Sequence, residues 1–179
     1  MGMGDGLIQV NFSLSSTYRL LTGSLVCWDT DIPSISPSQI WDITRKCISH
    51  MFEGHQDLVY SLDFSHNGSF IVSGLFDGRV WIWNMNTCES KVFPIPNHPG
   101  WVRCVDVSPD DRFVTATFQK GVMHIWNVET MTLIDSLRGH DDVVCSVDTW
   151  TGAQTWWETG SESWFYQLKD PANTWFLSW

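Results

Sequence analysis

Short apolar runs separated by polar turns set the rhythm of the chain. LVYSLDF (58–64), SFIVSG (69–74) and RVWIW (79–83) run five to seven residues each. They are rich in β-branched and aromatic residues, the composition of strands. HNG at 66–68 and DG at 77–78 are hairpin turn signals. SPDD at 108–111 is a turn with Pro where its fixed φ suits. The runs are apolar on both faces more than they alternate, which fits sheets buried on both sides. Periodicity alone leaves a buried helix open for such runs. The turns between them decide for strand, and no stretch of twelve or more residues carries helical periodicity. The pattern predicts an all-β fold.

The strands also recur. Residues 54–85 lie over 97–128 without a gap at an offset of 43. His55 falls on His98, Val59 on Val102, Gly78 on Gly121, and Trp83-Asn84 on Trp126-Asn127. A third copy opens at Gly139-His140, 42 residues further on, and runs as GHDDVVCSVD to Asp148. An earlier one ends at Trp41-Asp42, its first half being VNFSLSSTYRLLTGS (10–24). A His series and a Trp series keeping one period mean one repeated structural unit.

The G-H opening, the apolar strand, the S-P-D or H-N-G turn, the S-G-x-x-D-G turn and the closing W-D or W-N resemble WD repeats, whose period is roughly 40–45 residues. The resemblance covers 40–148 well, 8–40 loosely and 149–179 hardly at all. It implies a WD-repeat β-propeller of four-stranded sheets, here an incomplete arc of about three to four blades. The expected units are 8–42 (degenerate, with an insertion), 54–96 (the best copy), 97–138 (the second) and 139–148 (the start of the next), followed by a divergent Trp-rich tail at 149–179.

In that family the His of G-H, a Ser or Thr of the second strand, the turn Asp and the third-strand Trp form one hydrogen-bonded chain. The resemblance assigns these roles to His55, Ser73, Asp77 and Trp83, with His98, Trp126 and His140 as their counterparts in later copies. Each is a polar group in an apolar region, and buried polar groups must find partners. An Asp–His–Ser line also has the composition of a hydrolase triad. Ser73, however, lies inside a predicted strand with no oxyanion hole in view. In the next copy Ser73 aligns with Ala116 and Asp77 with Lys120, so packing is expected to replace the network there.

Two segments depart from the pattern. From Gly23 to Trp41 the first copy spans 18 residues where the central copy spans 9, and the excess lies in the Pro/Ser-rich stretch LVCWDTDIPSISPS. A long loop on the blade edge and translated non-coding sequence both fit it. After Asp148, TWTGAQ replaces the expected turn, and 149–179 hold six of the 12 Trp. A frameshifted or read-through tail, a divergent strand pair covering a sheet edge, and an interfacial membrane segment are the open readings. Lys169 is the only basic residue there, against the Lys/Arg-rich habit of membrane-surface segments. Strands are expected to continue to about Asp148 and to give way after it to irregular, short-stranded or poorly ordered structure.

Composition narrows the function. The chain has 179 residues, enough for a sizeable core. Twenty acidic residues against ten basic ones give a net charge of −10, which argues against a phosphate-backbone binder. Aromatic content of 14% excludes a solvated disordered chain. No apolar run approaches a membrane span, and MGMGDG does not read as a secretory leader. Five scattered cysteines without C-x-x-C fit a reduced, intracellular protein of the nucleus or cytoplasm. The histidines are dispersed; no zinc set, P-loop or dinucleotide fingerprint stands out, and no metal or cofactor is expected.

The expectation is a non-catalytic scaffold for other proteins or peptides, without direct nucleic-acid or membrane binding. In WD repeats, partners dock on the face made by the second-to-third-strand turns and the approaches to the first strands. Carried over, those positions are Asp57, Tyr60, Phe76, Trp101, Arg103, Gln119 and Asp142. Tyr60 and Trp101 can instead pack between blades. The run 41–65, with V-Y-S-L-D as its most specific part, resembles WD-repeat transcriptional corepressors, which makes the scaffold corepressor-like. The competing expectation is a propeller fragment with no independent activity, truncated or carrying misread coding sequence.

Overall fold

A computed structural model describes residues 7–12, 19–24, 38–42, 47–97, 99–138, 146–150, 154–158 and 163–167, with side-chain surroundings for 52–97, 99–138, Val147 and Thr149. Its regular elements are all strands. Leu7–Phe12 (β1), Arg19–Ser24 (β2), Ser38–Asp42 (β3) and Cys47–Phe52 (β4) form one sheet. Val59–Phe64 (β5), Phe70–Leu75 (β6), Val80–Asn84 (β7) and Ser90–Val92 (β8) form a second. Val102–Val107 (β9), Phe113–Phe118 (β10), Val122–Asn127 (β11) and Thr132–Arg138 (β12) form a third. Ser146–Trp150 (β13), Gln154–Glu158 (β14) and Ser163–Gln167 (β15) form a three-stranded fourth. Each sheet is an antiparallel meander in chain order. The first strands stand side by side, β1 against β5, β5 against β9 and β9 against β13.

The core lies between sheets, which explains the doubly apolar strands. Along β6 side chains alternate between two layers. Phe70 and Val72 join Val102, Val105, Val107, Val114, Ala116, Phe118 and Trp126 of the third sheet. Ile71 and Leu75 join Phe52, Leu62, Phe64 and Trp83 on the other side. Sheets two and three approach so closely that a Cβ on Gly74 would collide with Val102 Cγ1. The fourth strands of the second and third sheets face outward. All of β8 is exposed, and β12 alternates exposed with half-buried positions.

The same alternation aims polar groups forward. Ser61 and Asp63 leave β5 on the side of the third sheet. Ser61 Oγ accepts the Val105 amide at 3.0 Å, and Asp63 Oδ2 accepts the Val107 amide at 2.8 Å. One period on, Asp106 Oδ2 accepts the Thr149 amide at 2.6 Å and also the Thr149 hydroxyl. Asp111, at φ 58°, accepts the His66 and Asn67 amides of the preceding sheet at 2.6 and 2.9 Å.

Two boundaries are refined. After Asp148 the described residues are short-stranded and form a three-stranded sheet, not a regular four-stranded blade. β13 runs through Trp150, Asp148 pairs with Trp156, and Trp157 pairs with Trp164. QTWWE and SWFYQ are aromatic-rich runs with strand propensity of their own, outside the repeat template that set the expectation. The first copy gains a fourth strand, β4, from the segment before the G-H. The insertion at 25–37, residues 139–145 and the tail from 168 lie outside the described residues.

Candidate functional site

Two clusters of marked residues are built on the second and third sheets. The first is internal. His55 approaches β5, Ser73 sits in mid-β6, and Trp83 lies on β7. Ser73 Oγ is the hub: Trp83 Nε1 donates to it at 3.0 Å, and His55 Nε2 shares a hydrogen bond with it at 2.9 Å. Ser73 is fully buried, at 0% exposure, and Trp83 is at 2%. Burial lowers the His55 pKa to about 4, so the ring is neutral at pH 7. Trp83 packs on His55 at 4.6 Å and edge-on to Phe52 at 5.5 Å.

Asp77 is not the fourth member, and that expectation is corrected. Its Oδ1 accepts the Arg79 amide at 2.9 Å, and its Oδ2 lies 3.5 Å from Arg79 Nε. An Asp in a tight turn bonds its own backbone two residues on, and the turn at Gly78 (φ 82°) gives it that amide. His55 Nδ1 is left buried with no hydrogen-bond partner. Ser73 has neither exposure nor a His–Asp relay behind it, so this cluster supplies packing and satisfied polar groups, not a nucleophile.

The third sheet solves the same position differently. Ala116 and Trp126 replace the hub by packing, and Trp126 Nε1 donates to Pro94 O at 2.9 Å. His124 stands where the preceding sheet has Trp81, edge-on to Trp126 at 5.5 Å and tilted on Phe118 at 5.0 Å. Both its ring nitrogens are buried without hydrogen-bond partners, and burial lowers its pKa to about 4. Sequence reasoning passed over His124; the signal was its alignment with an aromatic strand position. Lys120 is exposed, while His98 and His140 lie outside the described residues.

The second cluster is on the surface, where the β6–β7 turn meets the approach to β9. Phe76, 38% exposed, lies 4.5 Å from Trp101 and stacks on Tyr60 at 6.4 Å. The Arg103 guanidinium sits 5.3 Å over the Tyr60 ring, with Nη1 donating to Tyr60 Oη at 3.4 Å. The structure thus brings Tyr60, Phe76, Trp101 and Arg103 into one row across two sheets. Tyr60 and Trp101 are half-buried between the sheets and still belong to the row. Gln119 is joined through its amide to Trp101 O at 3.0 Å. Asp57 stands apart, its Oδ1 accepting the Leu58 amide at 2.8 Å. Asp142 lies outside the described residues. Burial raises the Cys104 thiol to about 11, which removes it as a nucleophile. Among the described residues no three metal-ligating side chains converge.

Two outcomes follow for stability. Ser73→Ala strands the His55 and Trp83 nitrogens and is expected to cost about 1–3 kcal/mol, while Asp77→Ala, which loses only a turn contact, costs less. Denaturant titration checks the order, and equal costs would contradict it. The two buried histidines set an acid limb. The unfolded chain takes up protons below about 6.5, whereas the folded chain resists until about 4. Stability is therefore greatest above pH 6.5 and falls as pH drops toward 4. The melting-temperature gap between His124→Phe and the native chain should move in favour of the variant from pH 7 to pH 4.5. A constant gap would contradict the assignment.

With this geometry in hand, known proteins place the repeat. The family model for the WD domain, G-beta repeat matches residues 45–84 and 89–127. Each match begins with the last strand of one sheet and ends with the third strand of the next, so the sequence repeat bridges two sheets. Similar proteins include WD repeat and SOCS box-containing protein 1 of Danio rerio, 32% identical over 54% of this chain and 23% of its own length. Another is the guanine nucleotide-binding protein subunit beta of Zea mays, 29% identical over 66% of this chain and 34% of its own. Among solved structures, that of U3-55K superposes with a TM-score of 0.79 at 16% identity, over 99% of this chain and 53% of that one. The RRP9 WD40 repeats give 0.78 at 16% identity, over 99% and 52%. The chain thus spans between about a quarter and a third of these curated relatives and about half of the solved propellers. Residues 45–84 and 89–127 match the WD-repeat family model, and the chain folds as an arc of β-propeller blades.

Proposed function

We propose that the chain is a non-catalytic docking scaffold whose partner surface is the row Tyr60–Phe76–Trp101–Arg103. WD repeats imply an interaction scaffold, and the row is the observation that carries the choice of surface. It combines a solvent-exposed Phe with half-buried Tyr, Trp and Arg, the residue types that anchor interfaces. Two blades contribute to it, so it exists only where the blades are joined. Connecting loops on a rigid scaffold are where binding residues collect. The full burial of Ser73 supports a role without catalysis. Among the described residues no helix is long and apolar enough to cross a membrane.

The corepressor-like role is a narrower proposal, supported by the run 41–65. An intracellular, nuclear or cytoplasmic setting is supported by the free thiols Cys88 and Cys104. A fragment without independent activity is the second reading, favoured by the span of about half a solved propeller.

The test is capture from cell extract with the whole chain as bait. Changing Tyr60, Phe76, Trp101 and Arg103 together to Ala should reduce recovery of specific partners by about tenfold or more, with circular dichroism unchanged. Asn86→Ala with Glu129→Ala, in the turns at the opposite ends of the strands, should leave recovery as it was. Equal recovery by both variants would remove the row from the interface.

A further inference from the structure

The two ends of the blades differ in charge. Among the described residues, the turns at the far end carry Glu89, Asp110, Asp111 and Glu129 against Arg112. Among the described residues, the end bearing Phe76 carries Arg79, Arg103, Lys120 and Arg138 against Glu53, Asp57 and Asp77. In a chain of net charge −10, the described residues of this end hold one more cation than carboxylates. Two of its carboxylates are turned to their own loops, Asp57 to the Leu58 amide and Asp77 to the Arg79 amide.

Arg103 is the cation beside the rings. Its described partners are the Tyr60 ring and hydroxyl, neither of them an anion. One guanidinium nitrogen is used at 3.4 Å, while the group offers five N–H donors in a planar fork. A guanidinium held over an aromatic ring is oriented at low entropic cost for an incoming carboxylate, which it binds with two parallel hydrogen bonds. Next to it, Phe76 is exposed to solvent and packs on Trp101.

We infer that this row recognises an acidic peptide segment, one that sets an apolar or aromatic side chain against Phe76 and Trp101 and a nearby Asp or Glu on Arg103. The inference rests on the docking role proposed above and narrows it to one chemistry. Charge complementarity selects the partner: the far end would repel an acidic chain, and this end offers cations around an apolar anchor. A nucleic acid is the poorer fit. Phosphate-backbone binding needs a continuous basic track, and four cations interspersed with three carboxylates among the described residues do not make one.

The experiment uses the whole chain as target for a phage-displayed library of random dodecapeptides. Selected peptides are then synthesised and titrated by fluorescence anisotropy. Selected sequences should place Asp or Glu within three residues of Phe, Trp or Leu. Their affinity should fall about tenfold with Arg103→Gln, the loss of one charge-assisted contact, and comparably with Phe76→Ser. Arg103→Gln should spare the binding of the same peptides carrying Gln in place of Glu. Selection of basic or uncharged peptides, indifference to Arg103→Gln, or displacement by oligouridine RNA would overturn the inference. So would a library that yields no binder sensitive to Arg103→Gln. Capture lost in the fourfold variant, together with any of these results, keeps the docking role and removes the acidic specificity. Capture retained in that variant removes both.

Discussion

At two blade junctions of this chain, from the second sheet to the third and from the third to the fourth, a side-chain carboxylate takes a backbone amide of the following blade. Within a sheet the ladder of backbone hydrogen bonds is self-sufficient, but nothing in that ladder joins one sheet to another. The apolar layer between sheets, from Phe70 and Val72 to Val105 and Trp126, is attractive without being directional. Asp63 on the Val107 amide and Asp106 on the Thr149 amide supply direction. A charge-assisted hydrogen bond of this kind contributes about 1.5–3 kcal/mol and, more to the point, fixes register. Gly74 lets Val102 close in, and Gly78 lets the turn lie against Gly100. Together these bring Phe76 of one blade within 4.5 Å of Trp101 of the next.

That constraint explains why the blades tolerate unlike interiors. The second sheet holds its third strand through the Ser73 hub, while the third sheet holds its own through packing around Ala116 and a bond from Trp126 to Pro94. The interior needs only to be filled and its polar groups mostly met. The junction geometry has less freedom, because the surface row draws two residues from each side of it.

The repeat, the strand turns and the His55–Ser73–Trp83 positions were legible because each leaves a residue type at a fixed period. The forward clamp also left a trace, Asp63 and Asp106 at an offset of 43 with Asp148 another 42 on. Its meaning was hidden, because an Asp inside a strand says nothing about which sheet it faces. Asp77 misled because a turn Asp has two candidate partners, its own backbone and a distant His, and only geometry chooses. The Pro94 acceptor was invisible, since any residue supplies a carbonyl. The short strands beyond Asp148 were legible only as one of several readings, because QTWWE and SWFYQ have strand propensity but lie outside the repeat template. The surface row was nameable residue by residue, but its continuity depends on ring distances that no spacing encodes.

The most direct measure of this account is residue-resolved amide hydrogen exchange in the whole chain, native against Asp63→Ala. If the carboxylate holds the junction, exchange at Val107 and its neighbours on β9 should rise by about tenfold or more, while amides paired between β6 and β7 keep their protection. Unchanged exchange at Val107 would contradict it: the blades would then be held by apolar contact alone, and the row would owe its geometry to something else.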